Sequence, residues 1–304
     1  MRAEAESLPS VVNLHTGFTS RFIHGSTLKL AFNRTMDWIG GLSPELSYSL
    51  RTSLREAAFP LRPDKSDTPP KMRDDIEIFA SLFQNATANF EKIVSSYREE
   101  IRWPRARVYN GFFETIDAEL YYCMIRFYKP KRVVEVGAGN STWFARDALR
   151  ANGDGQILAI DPSPRVRLPR DCSQLRRVVE EVELSTFKHL RENDILFVDS
   201  SHSEKEANYF VERIYPTLRP GVLIHHHDIV FPYLGYASFV PDWASLGEQE
   251  VILRFLLRNQ ASYGIVASSA FARYENPGMV TRLIPSKRSR PLIAGGSLWI
   301  LKKA

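Results

Sequence analysis

Two cysteines in 304 residues, Cys123 and Cys172, are too few for a disulfide framework or a four-cysteine zinc site. No apolar run approaches the roughly 18 residues that a membrane helix needs. The opening MRAEAESLPSVVNLH has no apolar core of the kind a secretory signal carries. No internal repeat or long low-complexity tract is present. These absences lead us to expect a soluble cytoplasmic protein with reduced thiols and no membrane partner. Hydrophobic residues make up 44% and charged residues 25%, the balance of a globular chain with a sizeable core, which excludes a largely disordered protein. The length allows one large domain, or a catalytic domain of about 200 residues with an accessory region.

The net charge of +5 raises the question of a nucleic-acid partner. From Met279 to the end there are six basic residues (Arg282, Lys287, Arg288, Arg290, Lys302, Lys303) and no acidic one. The excess is therefore read as a feature of the tail, more in keeping with a solvated face than with a surface for an anionic partner.

Residues 28–58 contain stretches with modest helical periodicity, and Pro60–Lys71 places four prolines in twelve residues, a loop or linker. Ile76, Phe79, Phe83, Ala86, Phe90, Ile93, Tyr97 and Ile101 then recur at spacings of three and four. They predict one helix of about seven turns whose apolar stripe packs on the main domain or, as the second reading, forms a homodimer seam. From about Arg132 short apolar runs alternate with helical patterns. Strands are predicted at Arg132–Val136, Gln156–Ile160, Val178–Val179, Asp194–Val198, Gly221–Ile224, Ser262–Ala272 and Ala294–Leu301. Helices are predicted at Ser141–Ala151, Glu204–Leu218 and Leu246–Asn259. This alternation indicates an α/β fold, a doubly wound, mostly parallel sheet covered on both faces. We expect residues 1–105 to form an N-terminal helical accessory region and residues 106–304 the main domain.

The first strand ends in VVEVGAGNST, where Gly137 and Gly139 stand at a sharp turn into a helix opened by the amides of Asn140, Ser141 and Thr142. The second strand ends in ILAIDPSP, with Asp161 placed 22 residues after Gly139. A carboxylate there accepts the two hydroxyls of a ribose, or caps the turn before Pro162. A dinucleotide fingerprint wants a third glycine where Thr142 stands, and Glu135 just ahead of the turn opposes a pyrophosphate. On charge, the site suits a cationic nucleoside such as S-adenosylmethionine; the competing role of Glu135 is an ion pair with a nearby Arg or Lys.

Two later strands finish in acids and imidazoles. Asp194–Asp199 is followed by Ser200, Ser201 and His202, and Gly221–Asp228 ends in His225, His226, His227 and Asp228. Both reach the edge where Gly137 lies. In a regular strand His225 and His227 share a face opposite His226 and Asp228; a break near the strand's end brings His227 and Asp228 to one pocket. Asp199, His227 and Asp228 are candidate ligands of a divalent cation, and His202 or His227 with Asp199 are candidates for acid–base work.

The series EVGAGNST, AIDPSP, DILFVDSSH and LRPGVLIHHHDI resembles the successive motifs of class I S-adenosylmethionine-dependent methyltransferases, nearest the branch acting on small molecules and sugars, some members of which use a metal. The resemblance runs from about Asn110 to Asn259. It implies a Rossmann-like seven-stranded sheet with an antiparallel last strand. It implies that Glu135, Gly137 and Gly139 line the methionine part of the cofactor, with Asp199 nearby, that Asp161 binds the ribose and that Ser163 lies near the adenine. It further implies that residues around Asn110–Phe113 cover the cofactor. The metal-dependent branch has carboxylates where Asp199 and Asp228 stand, but His227 replaces a second acid. Relatives with a similar E-Q step add Glu248 as a candidate. Phe231–Tyr236 reads as a loop lining the substrate pocket, and Asn276–Arg290 as a basic lid or insertion. The expected activity is O-methylation of a small molecule. The alternatives are an RNA methyltransferase, for which the Asn-Pro-Pro-aromatic step of amino-methylating enzymes is missing, and a non-catalytic nucleoside-binding module.

Overall fold

Strand β1 (Arg132–Val136) is buried at every position after Arg132, as in a sheet covered on both faces. The computed structural model describes residues 81–108, 110, 112–230, 246–284 and 295–304. The expectations for residues 28–58, the proline-rich segment 60–71, the loop 231–236 and positions 285–290 lie outside these. β1 is followed by β2 (Gln156–Ile160), β3 (Ser173–Leu175), β4 (Ile195–Val198), β5 (Leu223–His226), β6 (Tyr263–Ser268) and β7 (Leu298–Lys302). They form one seven-stranded sheet in the order β3-β2-β1-β4-β5-β7-β6. Neighbours among β1 to β5 run parallel, and β7 is antiparallel to both β5 and β6.

Alternation along the strands divides the core into two layers. Val133, Phe197, Leu223 and Trp299 pack on helices α1 (Ala86–Tyr97), α2 (Asp117–Tyr128) and α3 (Asn140–Asn152), through Phe90, Ile93, Tyr121, Ile125 and Phe144. Val134, Leu196, Ile224 and Ile300 face Phe187, Phe210, Tyr215 and helix α5 (Leu246–Arg258), which follows α4 (Glu204–Tyr209). The winding starts at β1, runs outward to β3 and resumes at β4 on the other side of β1. The switch point therefore lies between the carboxyl ends of β1 and β4, where open α/β sheets bind ligands.

Five elements differ from the sequence-based expectation, one of them the stretch read as a basic lid or insertion, where Pro277–Leu283 is a helix with Met279, Val280 and Leu283 buried. The stripe from Ile76 to Ile101 is not one helix among the described residues. Residues 83–85 make a turn before α1, and Arg98–Glu100 closes it with a 3-10 turn. The turn sets Phe83 into one core layer together with Ala86 at the start of α1, while Phe90, Ile93 and Val94 further along α1 belong to the other. From Phe83 to Ile101 the stripe packs on the chain's own core. Val178–Val179 is not a strand: β3 lies earlier, a short polar edge strand without an apolar signature, and Val179–Glu181 is a 3-10 turn. The predicted helix Glu204–Leu218 is regular only to Tyr209; its last turns widen and then tighten around Pro216. β6 stops at Ser268, whose hydroxyl accepts from the Phe271 N–H at 3.1 Å and caps helix α6 (Ser269–Glu275).

Candidate active site

The register sets a row of functional groups one residue beyond the strands. Val136 pairs with both Ile160 and Val198, and Val198 with His226. Gly137, Asp161, Asp199 and His227 therefore share one rank along the carboxyl edge. Gly137 has φ +82°, and a Cβ there would lie 1.9 Å from the Asp199 carbonyl oxygen. Glycine is thus required twice over, by the turn and by the close approach of β4. Gly139 is extended and leads into α3, where Asn140, Ser141 and Thr142 stand in the first turn.

Glu135 is fully buried behind this turn. Tyr121 Oη donates to its Oε1 at 2.9 Å and Thr142 Oγ1 to its Oε2 at 2.5 Å. The Gly139 N–H donates in turn to Thr142 Oγ1 at 3.1 Å. Glu135 has no ion pair with an Arg or Lys among the described residues: its hydrogen-bond donors are hydroxyls. Burial raises the Glu135 carboxyl to about 7, against the pull of Thr142 and Tyr121.

Asp161 takes the Ala138 N–H on Oδ2 at 3.0 Å and the Ser163 N–H on Oδ1 at 2.7 Å. It therefore does cap the turn, and each oxygen keeps a lone pair for a further donor. The Asn110 side chain organises the segment ahead of α2: its Oδ1 accepts from the Phe112 and Phe113 amides, both at 3.0 Å. Phe112 is left exposed, with the Arg165 guanidinium 5.2 Å from its ring centre.

At the neighbouring strand ends the carboxylates and imidazoles meet. His202 Nε2 lies 3.4 Å from Asp199 Oδ1 and 3.6 Å from Asp228 Oδ2, while its Nδ1 contacts Glu248 Oε2 at 3.0 Å. His227 Nδ1 lies 3.3 Å from Asp199 Oδ1 and 3.4 Å from Asp228 Oδ1, yet this buried nitrogen makes no directed hydrogen bond. Its Nε2 faces Asp117 Oδ2 at 3.3 Å. Asp228 reaches the cluster because the strand breaks there with φ +56°, and Gly296 lets β7's lead-in pass: a Cβ would come within 2.9 Å of Asp228 Cα. Asp199, His202 and Asp228 can each offer an atom within 4.8 Å of the others, a spacing that suits one metal ion.

His225 and His226 have other work. His225 stacks on Phe197 at 4.1 Å, and burial, followed by the His227 charge, pushes it well down, so it is a neutral core group. His226 contacts Glu248 Oε1 at 3.3 Å and forms a short hydrogen bond with Tyr215. For His202 and His227 burial opposes the charged form, but the surrounding carboxylates outweigh it and raise both well above the usual range. Burial favours the protonated form of Glu248, but the bonds to His202 and His226 outweigh it and lower the carboxyl to about 2. Asp228 is raised, by burial and by the nearby Asp199 and Asp117 charges.

The sequence missed Asp117, a buried acid in the first turn of α2, 110 residues from His227. It also accepts from Ser269 Oγ and from the Gly296 and Ser297 amides. An acid at a helix start is so common that no local signal marked it.

Residues 134–229 match the family model of a methyltransferase domain. A protein of Archaeoglobus fulgidus, described only as uncharacterized, is 29% identical over 143 residues; the match covers 41% of this chain and 65% of the relative, so the chain spans less than two thirds of that relative's length. Similar solved structures include a methyltransferase of Podospora anserina bound to S-adenosylhomocysteine, with 17% identity, TM-score 0.41, and coverage of 78% of this chain and 98% of that one. Another is an O-methyltransferase of Streptomyces achromogenes in complex with S-adenosylmethionine, with 15% identity, TM-score 0.39, and coverage of 75% and 95%. Residues 134–229 are therefore similar to a methyltransferase domain, and they span the parallel strands β1 to β5 of the sheet. No helix among the described residues is long and apolar enough to cross a membrane.

Proposed function

We propose that the chain transfers the methyl group of S-adenosylmethionine to a hydroxyl oxygen of a small molecule. One observation carries this: the Asp199–His202–Asp228 cluster adjoins the Gly137 turn at the switch point of the sheet. On this reading the cofactor's ribose hydroxyls donate to Asp161, its ammonium group faces Glu135, and its methyl group points toward Asp199. The sulfonium is already a good leaving group, so the protein's main tasks are to align the acceptor oxygen with the methyl carbon and to receive its proton.

A divalent cation fits the same cluster. Asp199 and Asp228 present oxygens between two imidazole nitrogens, His202 Nε2 and His227 Nδ1. Glu248 holds His202 Nδ1, the outer contact that commonly orients a ligating histidine. Asp199, His202 and Asp228 would hold the ion, with His227 beside them; when bound, it lowers the pKa of an acceptor hydroxyl. Asp117 fixes the far side of the His227 ring, and Glu248 keeps His202 turned toward the two carboxylates. An edge with four carboxylates, Asp117, Asp199, Asp228 and Glu248, disfavours a polyanionic RNA strand at the methyl group, which supports a small acceptor.

Asp161→Ala is expected to weaken S-adenosylhomocysteine binding about tenfold in calorimetry, through loss of the ribose acceptor and of the turn it caps. Unchanged affinity would place the nucleoside elsewhere. The reading as a whole is tested by incubating the chain with a methyl-labelled donor and hydroxylated acceptors, with and without added Mg²⁺ or Mn²⁺. It expects label on an oxygen and stimulation by the ion; label on RNA alone would overturn it.

A further inference from the structure

The crossover from β2 to β3, residues 161–172, contains no helix. Pro162, Pro164 and Pro169 interrupt it and deny it the donors a helix needs. Among the described residues the flank of α3 is left uncovered, and two adjoining cavities of about 420 and 480 Å³ open beside it. They share Arg167, Leu168 and Arg170; Arg146 and Arg150 line the first, Arg165 and Arg176 the second. Between Pro162 and Arg177 the chain carries five arginines and one acid, Asp171. The basic excess is therefore not confined to the tail.

The arginines of the groove fall into two sets. Arg150 is paired with Asp171 at 2.7 Å and Arg146 with Asp147 at 2.9 Å. Arg146 also lies 4.6 Å from the Trp143 ring centre, and Trp143 Nε1 donates to the Arg167 carbonyl at 3.0 Å, which ties the loop to the helix. Arg165, Arg167, Arg170 and Arg176 pair with no carboxylate among the described residues. Unpaired guanidinium groups around a concavity form forked donor sites matched to phosphate oxygens. A single carboxylate would leave most of that charge unanswered. Each cavity also has the volume of a small-ligand site, about 300–1,000 Å³.

We propose that this groove binds a small molecule carrying two or more phosphate groups in series. Its occupant bridges α3 and the loop that follows Asp161, next to the edge where Asp161 is proposed to hold the ribose.

The test is calorimetric titration of the full chain with inorganic tripolyphosphate at low salt. Saturable one-to-one binding is expected. It should weaken at least about tenfold in R167A/R170A, and measurably in R176A, with the melting temperature and S-adenosylhomocysteine affinity of both variants unchanged. ADP is expected to compete. No saturable binding, or equal affinity in wild type and variants, would overturn the proposal. So would a single-stranded RNA oligonucleotide that binds more tightly than tripolyphosphate and ADP through the same arginines, since the surface would then serve a nucleic acid. Unchanged cofactor binding in the variants keeps failure here distinct from failure of the methyltransferase reading.

Discussion

Replacing Asp228 by asparagine is expected to reduce methyl transfer by about 10²–10⁴-fold while changing S-adenosylhomocysteine affinity by less than about threefold. The substitution suits the backbone: Asp228 sits at φ +56°, a conformation that asparagine tolerates as well as aspartate. The amide keeps the size of the side chain, so Gly296 still passes it. What is lost is the negative charge 3.6 Å from His202 Nε2 and 3.4 Å from His227 Nδ1. Neither a cation nor an acceptor proton would then be held as before. The check is turnover with a labelled methyl donor beside calorimetry with the product nucleoside. Equal loss of turnover and of nucleoside affinity would mean that Asp228 belongs to the cofactor's site and not to the chemistry.

Glu135→Gln is expected to act in opposite directions on stability and on cofactor affinity. Burial raises this carboxyl from 4.5 to about 7. The folded chain thus keeps a proton that the unfolded chain has released, so stability falls as the pH rises from about 4.5 through 7 and levels off above. The rise of about 2.5 pKa units corresponds to about 3 kcal/mol at 1.36 kcal/mol each, the penalty for holding the bare carboxylate in the apo chain above pH 7. Glutamine removes it. Tyr121 and Thr142 can rotate their hydroxyls to suit the amide, so the apo variant should be more stable than wild type at pH 8 by about 2–3 kcal/mol, and by little at pH 5. The same change deletes the partner of the cofactor's ammonium group and should weaken S-adenosylhomocysteine binding about 10²-fold. In the wild type, affinity should rise roughly tenfold between pH 6 and 8 as the proton is displaced, and should stay flat in the variant. Denaturant melts and calorimetry at both pH values check this. A variant that is less stable at pH 8, or that binds the nucleoside as tightly as wild type, would contradict it.

The parts of this molecule that were legible in the sequence are those fixed by local geometry. Gly137 announced a turn, and the turn has a positive φ with β4 pressed against it. The apolar runs ending in Asp161, Asp199 and Asp228 announced strands that stop at one edge, and register puts Gly137, Asp161 and Asp199 in one rank. Pleating sorted the histidines as well: His225 stacks on Phe197 in one layer and His226 meets Tyr215 in the other. What escaped notice depends on contacts between distant segments. Asp117 joins His227 only because α2 packs against the lead-in to β7. Glu248, a weak candidate in its helix's first turn, holds both His202 and His226. The periodicity from Ile76 predicts one helix because it does not reveal that Phe83 and Phe90 face different core layers. A count of charge along the chain does not reveal the arginine groove, because the fold sets Arg146 and Arg150 of α3 against the loop after β2.

The central claim is that the nucleoside lies across the Gly137 turn with its sulfur facing the Asp199–Asp228 pair. A crystal structure of the chain with S-adenosylhomocysteine and Mn²⁺ tests it most directly. The predicted result is ribose oxygens on Asp161, the sulfur beside Asp199 and an anomalous peak bounded by Asp199, His202 and Asp228. A nucleoside bound away from the ends of β1 and β2, or a fully occupied cofactor site whose sulfur points away from these carboxylates, would contradict it.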